Sequence, residues 1–585
     1  MTDDMKKLIT IIAFLLPMVA QAQQMNVSVD SVGMLARELP DSVRFKVAEL
    51  KITGPLNGAD LKLLSQIVTR TRVNKKVPGE CLVTAIDLSE AVICEGKAVM
   101  RTANNTMPNS LFAGAKALVK AVLPENVINV GRNCFDNCES LTAVTIPETV
   151  ITIGSNAFSD CISLESVRLP KSLTKIENNA FEKCLNLKEI ELPENVVEVG
   201  ASAFTGCKAL TKAVLGSNSI TAISTAMFMD CESLAEIAVP ESVTSIGNNA
   251  FRNCKSLETI SLGDNLDMIG NSAFEACTSL KSISISEVTK IGSNAFQQCA
   301  SLETIEVDNL KTLGNGAFQK CVNLKKVDLQ GSLNKIGDNT FADCTALEQA
   351  KLSGSIQQIE SNAFRNCKNI ADIELPTALK EIKSHVFENC TSLRRIVIPS
   401  NVKSMGSSVF EDCTALDTVL IKGAIDEIDS ETFRHCSSLK RIEIPVSVKK
   451  IGSKAFEGCT LLTSVTLPIT LQSLGSDAFA GCASLAGIVI PAAVKEIGSD
   501  AFRECSALSK AELSVSLKSI GSGAFAKCVS LREVVVNAPL PPKMTKSTFK
   551  DIVLGACKFY VPKGCKPQYA LDKQWQKIPQ LTELP

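Results

Sequence analysis

The 585-residue chain is poor in the side chains on which most enzymes and metal sites depend. It contains two histidines, one tryptophan and two tyrosines. With so few histidines and no Cys-x-x-Cys pairs, a zinc site is not expected. No nucleophile motif and no phosphate-binding loop occurs either. The sequence therefore predicts no enzyme activity, no catalytic residue, no metal and no cofactor.

An excess of charge of one sign and long apolar runs are also scarce. The formal net charge is −1, so nothing in the overall charge favours a nucleic acid or an anionic membrane as partner. One apolar run, Leu8 to Leu16, follows Lys6-Lys7 and precedes Ala20-Gln21-Ala22, the pattern of a signal peptide with its cleavage site. The run is too short to span a bilayer. We therefore expect an exported chain with no transmembrane segment, extracellular or on the cell surface, with the periplasm as the alternative.

What the sequence does contain is one short unit, repeated nineteen times. A phenylalanine recurs at steps of 22 to 24 residues from Phe112 to Phe525, and in eighteen units a cysteine follows three residues later, from Cys138 to Cys528. A fixed period of this length, with leucines at set offsets, is typical of a leucine-rich-repeat solenoid.

The unit from Leu141 to Cys161 shows what each position predicts. Val144 and Ile146 are two residues apart, as in a strand that buries one face, and Pro147 ends that strand. The segment from Ala157 to Cys161 fits a single helical turn. We predict an α/β repeat solenoid, a leucine-rich-repeat superhelix with a parallel concave β-sheet and short convex turns, capped at both ends.

The strand-ending proline is absent between about residues 260 and 360, and the two 22-residue steps fall in that stretch. We expect a change in curvature and lower local stability around residues 275 to 320.

Most of the 23 cysteines occupy one equivalent buried position per unit. Side chains in register on parallel strands point the same way, so a disulfide between neighbouring units would need distorted repeats. We therefore expect a ladder of buried, unreactive thiols. Outside the repeats, Cys81–Cys94 and Cys557–Cys565 are candidate disulfides, because each pair brackets a short strand-like segment.

The predicted organisation has four parts: a signal peptide (1–22), an N-terminal capping module (23–108), about nineteen repeats (109–536) and a C-terminal cap (537–585). In the N-terminal module, Asp60 precedes an apolar helical pattern and is the predicted N-cap of that helix.

The repeat consensus, Leu-x-x-Ile-x-Leu-Pro-x-x-Val-x-x-Ile-Gly-x-x-Ala-Phe-x-x-Cys, closely resembles the BspA-like leucine-rich repeat. Clear copies run from Leu234 to Cys254 and from Leu393 to Cys413. The resemblance implies a secreted or cell-surface protein of host-associated gut or oral bacteria. Some such proteins bind host matrix proteins or other cells, and the family implies no enzymatic residues.

The predicted concave side becomes rich in arginine and apolar residues between about residues 390 and 445, the composition of an interface core. The candidate binding residues are Arg394, Arg395, Val397, Leu420, Lys440, Arg441 and Glu443.

The absence of aromatic residues from the concave columns favours a protein ligand over a glycan. The expected partner is a host extracellular matrix protein or another cell surface. The alternative is a structural or glycan-associated accessory protein of the bacterial cell envelope, which would contact glycans through its end caps. His385 and His435 occupy variable positions and are expected to be exposed surface residues.

Overall fold

The computed structural model describes residues 23–69, 82–96, 100–216 and 218–584, so the predicted signal peptide lies outside the described residues. The chain divides into two compact units, residues 1–265 (unit 1) and 266–585 (unit 2).

Each repeat crosses two ladders of parallel strands and then a turn. In unit 1, Ala143–Thr145 belongs to the first ladder, where Lys120 pairs with Ala143, and Thr152–Ile153 belongs to the second, where Thr152 pairs with Lys175. Residues 154–161 form the turn, and we call the stack of such turns the turn column. The predicted parallel-strand repeat solenoid is confirmed.

The first ladder of unit 1 comprises Gln23–Ser28, Val47–Leu56, Ala85–Asp87, Lys120–Val122, Ala143–Thr145, Glu189–Leu192, Lys212–Leu215, Glu236–Ala238 and Thr259–Ile260. Second-ladder strands are Ala91–Ile93, Asn129–Val130, Thr152–Ile153, Lys175–Ile176, Glu198–Val199, Ala222–Ile223 and Ser245–Ile246. The helices of this unit are Leu35–Glu38, Asp41–Arg44 and Gly58–Thr69.

In unit 2 the first-ladder strands are Ser282–Ile283, Thr304–Leu310, Lys326–Gly331, Gln349–Lys351, Arg395–Ile398, Thr418–Ile421, Arg441–Glu443, Ser464–Thr466, Gly487–Val489, Lys510–Leu513, Glu533–Val536, Lys558–Val561 and Leu581–Glu583. Its second ladder comprises Met268–Ile269, Lys290–Ile291, Thr312–Leu313, Lys335–Ile336, Gln358–Ile359, Glu381–Ile382, Ser404–Met405, Glu427–Ile428, Lys450–Ile451, Ser473–Leu474, Glu496–Ile497 and Ser519–Ile520. The helices are Lys566–Leu571 and two 3₁₀ turns, Leu554–Ala556 and Trp575–Lys577.

The repeat phenylalanines form the centre of the core in both units. From Phe112 to Phe251, successive ring centroids lie 5.2–5.7 Å apart. From Phe274 to Phe549 the spacing is 5.0–5.6 Å. Nearly all pairs are stacked, because the 23-residue period places each ring directly over the ring of its neighbour.

The predicted helical turn is wrong in detail. In the turn from Gly154 to Cys161, Asn156 and Asp160 both have a φ of +54°, and such left-handed residues interrupt a helix. Backbone amides of this turn instead bond to the next repeat. Asn156 N donates to Asn178 O at 3.0 Å, and Phe158 N donates to Ala180 O at 2.8 Å. The equivalent positions in other repeats are rich in Asn, Asp, Ser and Gly, several of which tolerate this conformation.

Two of the repeats without strand-ending proline have longer strands. Thr304–Leu310 and Lys326–Gly331 run for seven and six residues, whereas Arg395–Ile398, which precedes Pro399, has four. Other strands of the same stretch, Ser282–Ile283 and Gln349–Lys351, are short. Without proline the backbone keeps its N–H donors, and in the two long strands pairing continues to Leu310 and Gly331. The lower stability expected around residues 275 to 320 stays a prediction.

The N-terminal module covers the start of the first ladder with a strand, Gln23–Ser28, and a helix, Gly58–Thr69. Asn57, not Asp60, caps that helix, since its Oδ1 accepts from Ala59 N at 2.9 Å. Asp60 lies inside the first turn, where its carboxylate accepts from Asn57 N at 3.0 Å and from Leu35 N at 3.0 Å. The prediction missed this by three residues because both residue types serve as caps.

The C-terminal cap closes the phenylalanine stack with aromatic residues set on edge. Phe559 meets Phe549 at an interplanar angle of 88°. Tyr569 Oη donates to Ala538 O at 2.7 Å, and Trp575 Nε1 donates to Pro542 O at 2.8 Å, so both buried rings are hydrogen-bonded.

The repeat cysteines are free and buried, and each sulfur faces the preceding repeat. Cys161 Sγ, for example, donates to Phe135 O at 3.2 Å. Burial raises the pKa of Cys207 in unit 1 and of Cys321 in unit 2 to about 12, so these thiols stay protonated and unreactive at neutral pH.

The candidate disulfides have different outcomes. Cys557 and Cys565 are both free thiols in the structure. Cys557 is fully buried at the start of the strand Lys558–Val561, whereas Cys565 is half-buried at the N-cap of the helix Lys566–Leu571. The predicted Cys557–Cys565 bond is therefore absent from the structure. The Cys81–Cys94 pair cannot be placed, since Cys81 lies outside the described residues.

Candidate interaction surface

The predicted binding residues lie on the outer side of the first ladder in unit 2. The strand Arg395–Ile398 pairs with Thr418–Ile421 so that Val397 adjoins Leu420, which is 38% exposed. Arg441 and Glu443 lie on the strand Arg441–Glu443, two repeats after Arg395–Ile398, and both side chains are exposed. Arg394 and Lys440, which precede Arg395 and Arg441, are also exposed. We call this surface the unit 2 face.

Arg394, Arg395, Lys440 and Arg441 have no ion-pair partner among the described residues. Three other first-ladder lysines of unit 2 do have partners: Lys326 Nζ lies 2.7 Å from Glu306 Oε1, Lys351 Nζ lies 3.2 Å from Asp328 Oδ2, and Lys510 Nζ lies 2.8 Å from Glu533 Oε1. The four cations of the unit 2 face therefore keep their full capacity to pair with carboxylates of another molecule.

A row of exposed apolar side chains continues this surface and was missed by the sequence analysis. Val446, Ile469 and Val515 each lie just past the end of a first-ladder strand, and are 77%, 84% and 51% exposed. Val489 on the neighbouring strand is 59% exposed, and with Ile469 it lines a groove of about 350 Å³. We call Val446, Ile469, Val489 and Val515 the apolar edge.

The equivalent surface of unit 1 is charged, and two of its cations are paired with carboxylates of the same unit. Its groove, about 900 Å³, is lined by Arg168, Lys171, Glu189, Glu191 and Lys212, among others. Arg168 Nη2 lies 3.1 Å from Glu148 Oε1, and Lys212 Nζ lies 3.6 Å from Glu236 Oε2. In three repeats of unit 1 the residue directly after the strand-ending proline is charged: Glu148, Lys171 and Glu194. In unit 2 the equivalent residue is apolar in two repeats, Val446 and Ile469.

Both histidines lie in the turn column of unit 2, half-exposed and bonded to carboxylates. His385 Nδ1 is 2.8 Å from Glu388 Oε2, and His435 Nδ1 is 2.8 Å from Asp412 Oδ1. Ligand atoms of His385, Glu388 and Glu411 lie within 4.8 Å of one another, so the structure brings together a potential cation-binding group that the sequence analysis did not anticipate.

Arginines already neutralise the two glutamates of that group. Arg365 Nη2 lies 2.9 Å from Glu388 Oε1, and Arg434 Nη1 lies 2.7 Å from Glu411 Oε1. These guanidinium groups compete directly with any cation for the carboxylates. Ion pairs between neighbouring turns therefore explain why these side chains lie together. Both histidines have a positive φ, which explains why a polar residue occupies these positions.

The repeat sequence identifies the family to which the chain belongs. The sequence pattern described as "BspA type Leucine rich repeat region (6 copies)" matches residues 105–234, 214–325, 311–440 and 426–552, well over half of the chain. The chain belongs to the BspA-type leucine-rich-repeat family. Repeats of this family are typically non-enzymatic scaffolds for protein interaction. None of the helices in the described residues is long and apolar enough to cross a membrane.

Several solved structures of bacterial leucine-rich-repeat proteins are similar to this BspA-type chain. A leucine-rich repeat protein of Bacteroides ovatus is 26% identical, with 81% of this chain and 90% of that chain covered and a TM-score of 0.33. A leucine-rich cell surface protein of Faecalibacterium prausnitzii is 24% identical, with coverages of 57% and 86% and a TM-score of 0.34. No curated protein matches the chain.

Proposed function

We propose that this BspA-type protein is exported to the cell surface, where its unit 2 face binds a protein partner in adhesion to host matrix proteins or to other cells. The observation that carries the proposal is the group of four exposed cations without ion-pair partners beside exposed apolar residues. Arginine is enriched at the energetic centres of protein interfaces, and exposed apolar side chains beside it offer area that a partner can remove from water.

The apolar edge supports the same conclusion. Exposed Val446 and Ile469 gain nothing for the isolated chain, since the hydrophobic effect favours their removal from water. Burying such a side chain against a partner contributes about 1.5–3 kcal/mol. The partner that fits has acidic groups to face the arginines and an apolar patch to cover this edge.

The alternative, contact with glycans through the end caps, has little exposed aromatic surface to support it in the C-terminal cap. Sugars stack on exposed aromatic rings, whereas Phe559, Tyr569 and Trp575 are fully buried and Tyr560 is half-buried. These rings close the phenylalanine stack, which accounts for their position.

The test begins with antibody labelling of intact cells and with binding of the mature chain to a panel of host matrix proteins. We expect surface labelling and saturable binding to one panel member. The double variant Arg395→Glu/Arg441→Glu should reduce that binding about 100-fold, because each reversal places a repulsive charge at the interface.

The matched control is Lys403→Glu/Lys449→Glu. These lysines are exposed in the same repeats but lie beside the second ladder, and they have no ion-pair partner among the described residues. The control should bind like the natural chain. Equal loss in both variants, or no binding to any panel member, would contradict the proposal.

A further inference from the structure

The C-terminal cap carries a charge that the average over the chain conceals. Residues 537–585 contain eight lysines, no arginine and three acidic residues, a formal charge of +5 in a protein whose net charge is −1. The lysines are Lys543, Lys546, Lys550, Lys558, Lys563, Lys566, Lys573 and Lys577, and all of them are exposed.

None of these lysines has an ion-pair partner among the described residues, unlike many lysines of the repeats. Lys188 Nζ lies 2.8 Å from Glu165 Oε2 in unit 1, and Lys325 Nζ lies 3.2 Å from Glu303 Oε2 in unit 2. In each pair the glutamate comes from the preceding repeat, so the array compensates much of its own charge.

Two of the three acidic groups of the cap, those of Asp572 and Glu583, are bonded to backbone amides. Asp572 Oδ1 accepts from Gln574 N at 2.8 Å and from Trp575 N at 3.1 Å, and Glu583 Oε1 accepts from Lys566 N at 3.2 Å. The positive charge of the cap is therefore uncompensated.

Four of the lysines, and the most exposed of the large apolar side chains among the described residues, fall within residues 563–577. Leu571, the last residue of the helix Lys566–Leu571, is 85% exposed, between Lys566 and Lys573 in sequence. Lysine is a strongly hydrated point charge that interacts with phosphates without needing bidentate geometry. Clustered lysines combined with a protruding leucine are characteristic of segments that lie on anionic lipid surfaces.

We propose that the C-terminal cap docks the protein onto a negatively charged lipid bilayer, with Lys563, Lys566, Lys573 and Lys577 facing headgroup phosphates and Leu571 entering the interface. This inference is independent of the unit 2 face. A phosphate- or sulfate-bearing polysaccharide would share the charge but would gain nothing from Leu571.

The experiment is co-sedimentation of the mature chain with vesicles of phosphatidylglycerol and phosphatidylcholine, against vesicles of phosphatidylcholine alone. Binding should require phosphatidylglycerol and weaken between 50 and 500 mM NaCl, as screening predicts. At about 1 kcal/mol per lysine near an anionic surface, Lys566→Glu/Lys573→Glu/Lys577→Glu should bind about 100-fold less. Leu571→Ser should bind about 10-fold less.

The matched control is Lys403→Glu/Lys449→Glu/Lys495→Glu, which makes the same charge change on exposed lysines of the repeats. It should keep at least half of the natural affinity. The proposal is overturned if this control loses as much vesicle affinity as the cap variant. It is also overturned if phosphatidylglycerol does not increase binding of the natural chain, or if that chain binds heparin but not the vesicles. Thermal unfolding of each variant separates loss of binding from loss of fold, and Leu571→Ser tests the same surface without altering its charge.

Discussion

Units 1 and 2 have the same interior and different exteriors. Phe158 in unit 1 and Phe410 in unit 2 are equally buried in stacks of nearly equal spacing, and in both units the repeat cysteines face the preceding repeat. On the outside, Arg168 of unit 1 is held by Glu148, whereas Arg395 and Arg441 of unit 2 have no such partner.

The difference shows where binding capacity resides in a repeat protein. A large charged groove can contain cations that are already paired with carboxylates of the same unit, as Arg168 and Lys212 are in the 900 Å³ groove of unit 1. A surface becomes available to a partner when its charges are uncompensated and its apolar groups exposed, as in unit 2.

Alkaline unfolding is the largest effect expected from the shared interior. Cys207 and Cys321 have pKa values raised by burial from 9.0 to about 12, so the stability they provide is complete below pH 9 and is lost as the pH rises from 9 towards 12. Each such thiol costs about 1.4 kcal/mol per pH unit in that window, and burial raises the pKa of other repeat cysteines in both units in the same direction, as for Cys184 and Cys436.

Far-UV circular dichroism between pH 8 and 11 measures this loss. Thiol labelling with mass spectrometry should show cysteines of both units becoming reactive within about half a pH unit of each other. If the cysteines of one unit reacted a full pH unit earlier, the two interiors would not be equivalent.

Removing one stacked ring tests the same equivalence at a single repeat. Phe158→Ala and Phe410→Ala should each lower the free energy of unfolding by about 3–5 kcal/mol, since each leaves a cavity between two stacked neighbours. Urea unfolding, read by hydrogen exchange of the surrounding repeat, measures the loss. If the losses for the two variants differed by more than about 1 kcal/mol, the interiors of the two units would not be equivalent.

The apolar edge tests the difference between the exteriors. Ile469→Glu should weaken binding of the matrix protein identified in the panel by about 10-fold, because a charge replaces an apolar contact. The unit 1 counterpart, Glu194→Lys, should leave binding unchanged. Surface plasmon resonance measures both, and equal effects would mean that the partner does not distinguish the two faces.

The smallest expected effect concerns exposed ion pairs. Lys188→Met removes the pair with Glu165 in unit 1 and should change the free energy of unfolding by less than about 0.5 kcal/mol. Lys440→Met in unit 2 should be equally neutral for stability yet reduce partner binding. A stability loss above 1 kcal/mol for Lys188→Met would show that these pairs help to hold the array together.

The interior was predictable from the sequence because each of its positions recurs. The spacing of phenylalanine and cysteine predicted the solenoid, and the register of parallel strands argued correctly against disulfides between repeats. The proline gap between residues 260 and 360 contains the two longer strands Thr304–Leu310 and Lys326–Gly331, but other strands of that stretch, such as Ser282–Ile283, are short.

The turn conformation was misjudged because Ala157 and Cys161 also fit helical spacing. The distinguishing signal was the recurrence of Asn, Asp, Ser and Gly at the positions of Asn156 and Asp160, which an α-helix disfavours. His385 and His435 occupy these same positions, so their location in the turn column follows from the turn conformation.

The exterior was only partly predictable. The outward alternation of strand residues placed Arg395 and Arg441 correctly, since strand geometry alone decides it. Val446 and Ile469 lie beyond the strand, where no alternation applies, and ion pairing depends on which side chains meet across neighbouring repeats. The net charge of −1 likewise gave no hint of the basic cap, because charges of opposite sign lie in different regions.

The bonds of the turn column run between repeats, and each repeat has the same relation to both neighbours. In unit 2, Phe456 N donates to Ala478 O and Phe479 N donates to Ala501 O, both at 2.8 Å. Deleting residues 457–479 would therefore rejoin equivalent groups and shift the unit 2 face towards the C-terminal cap by one strand spacing, about 4.8 Å. Recombination between copies can in this way change the length of the array in fixed steps without redesign of its core, and this particular deletion would also remove Ile469 from the apolar edge.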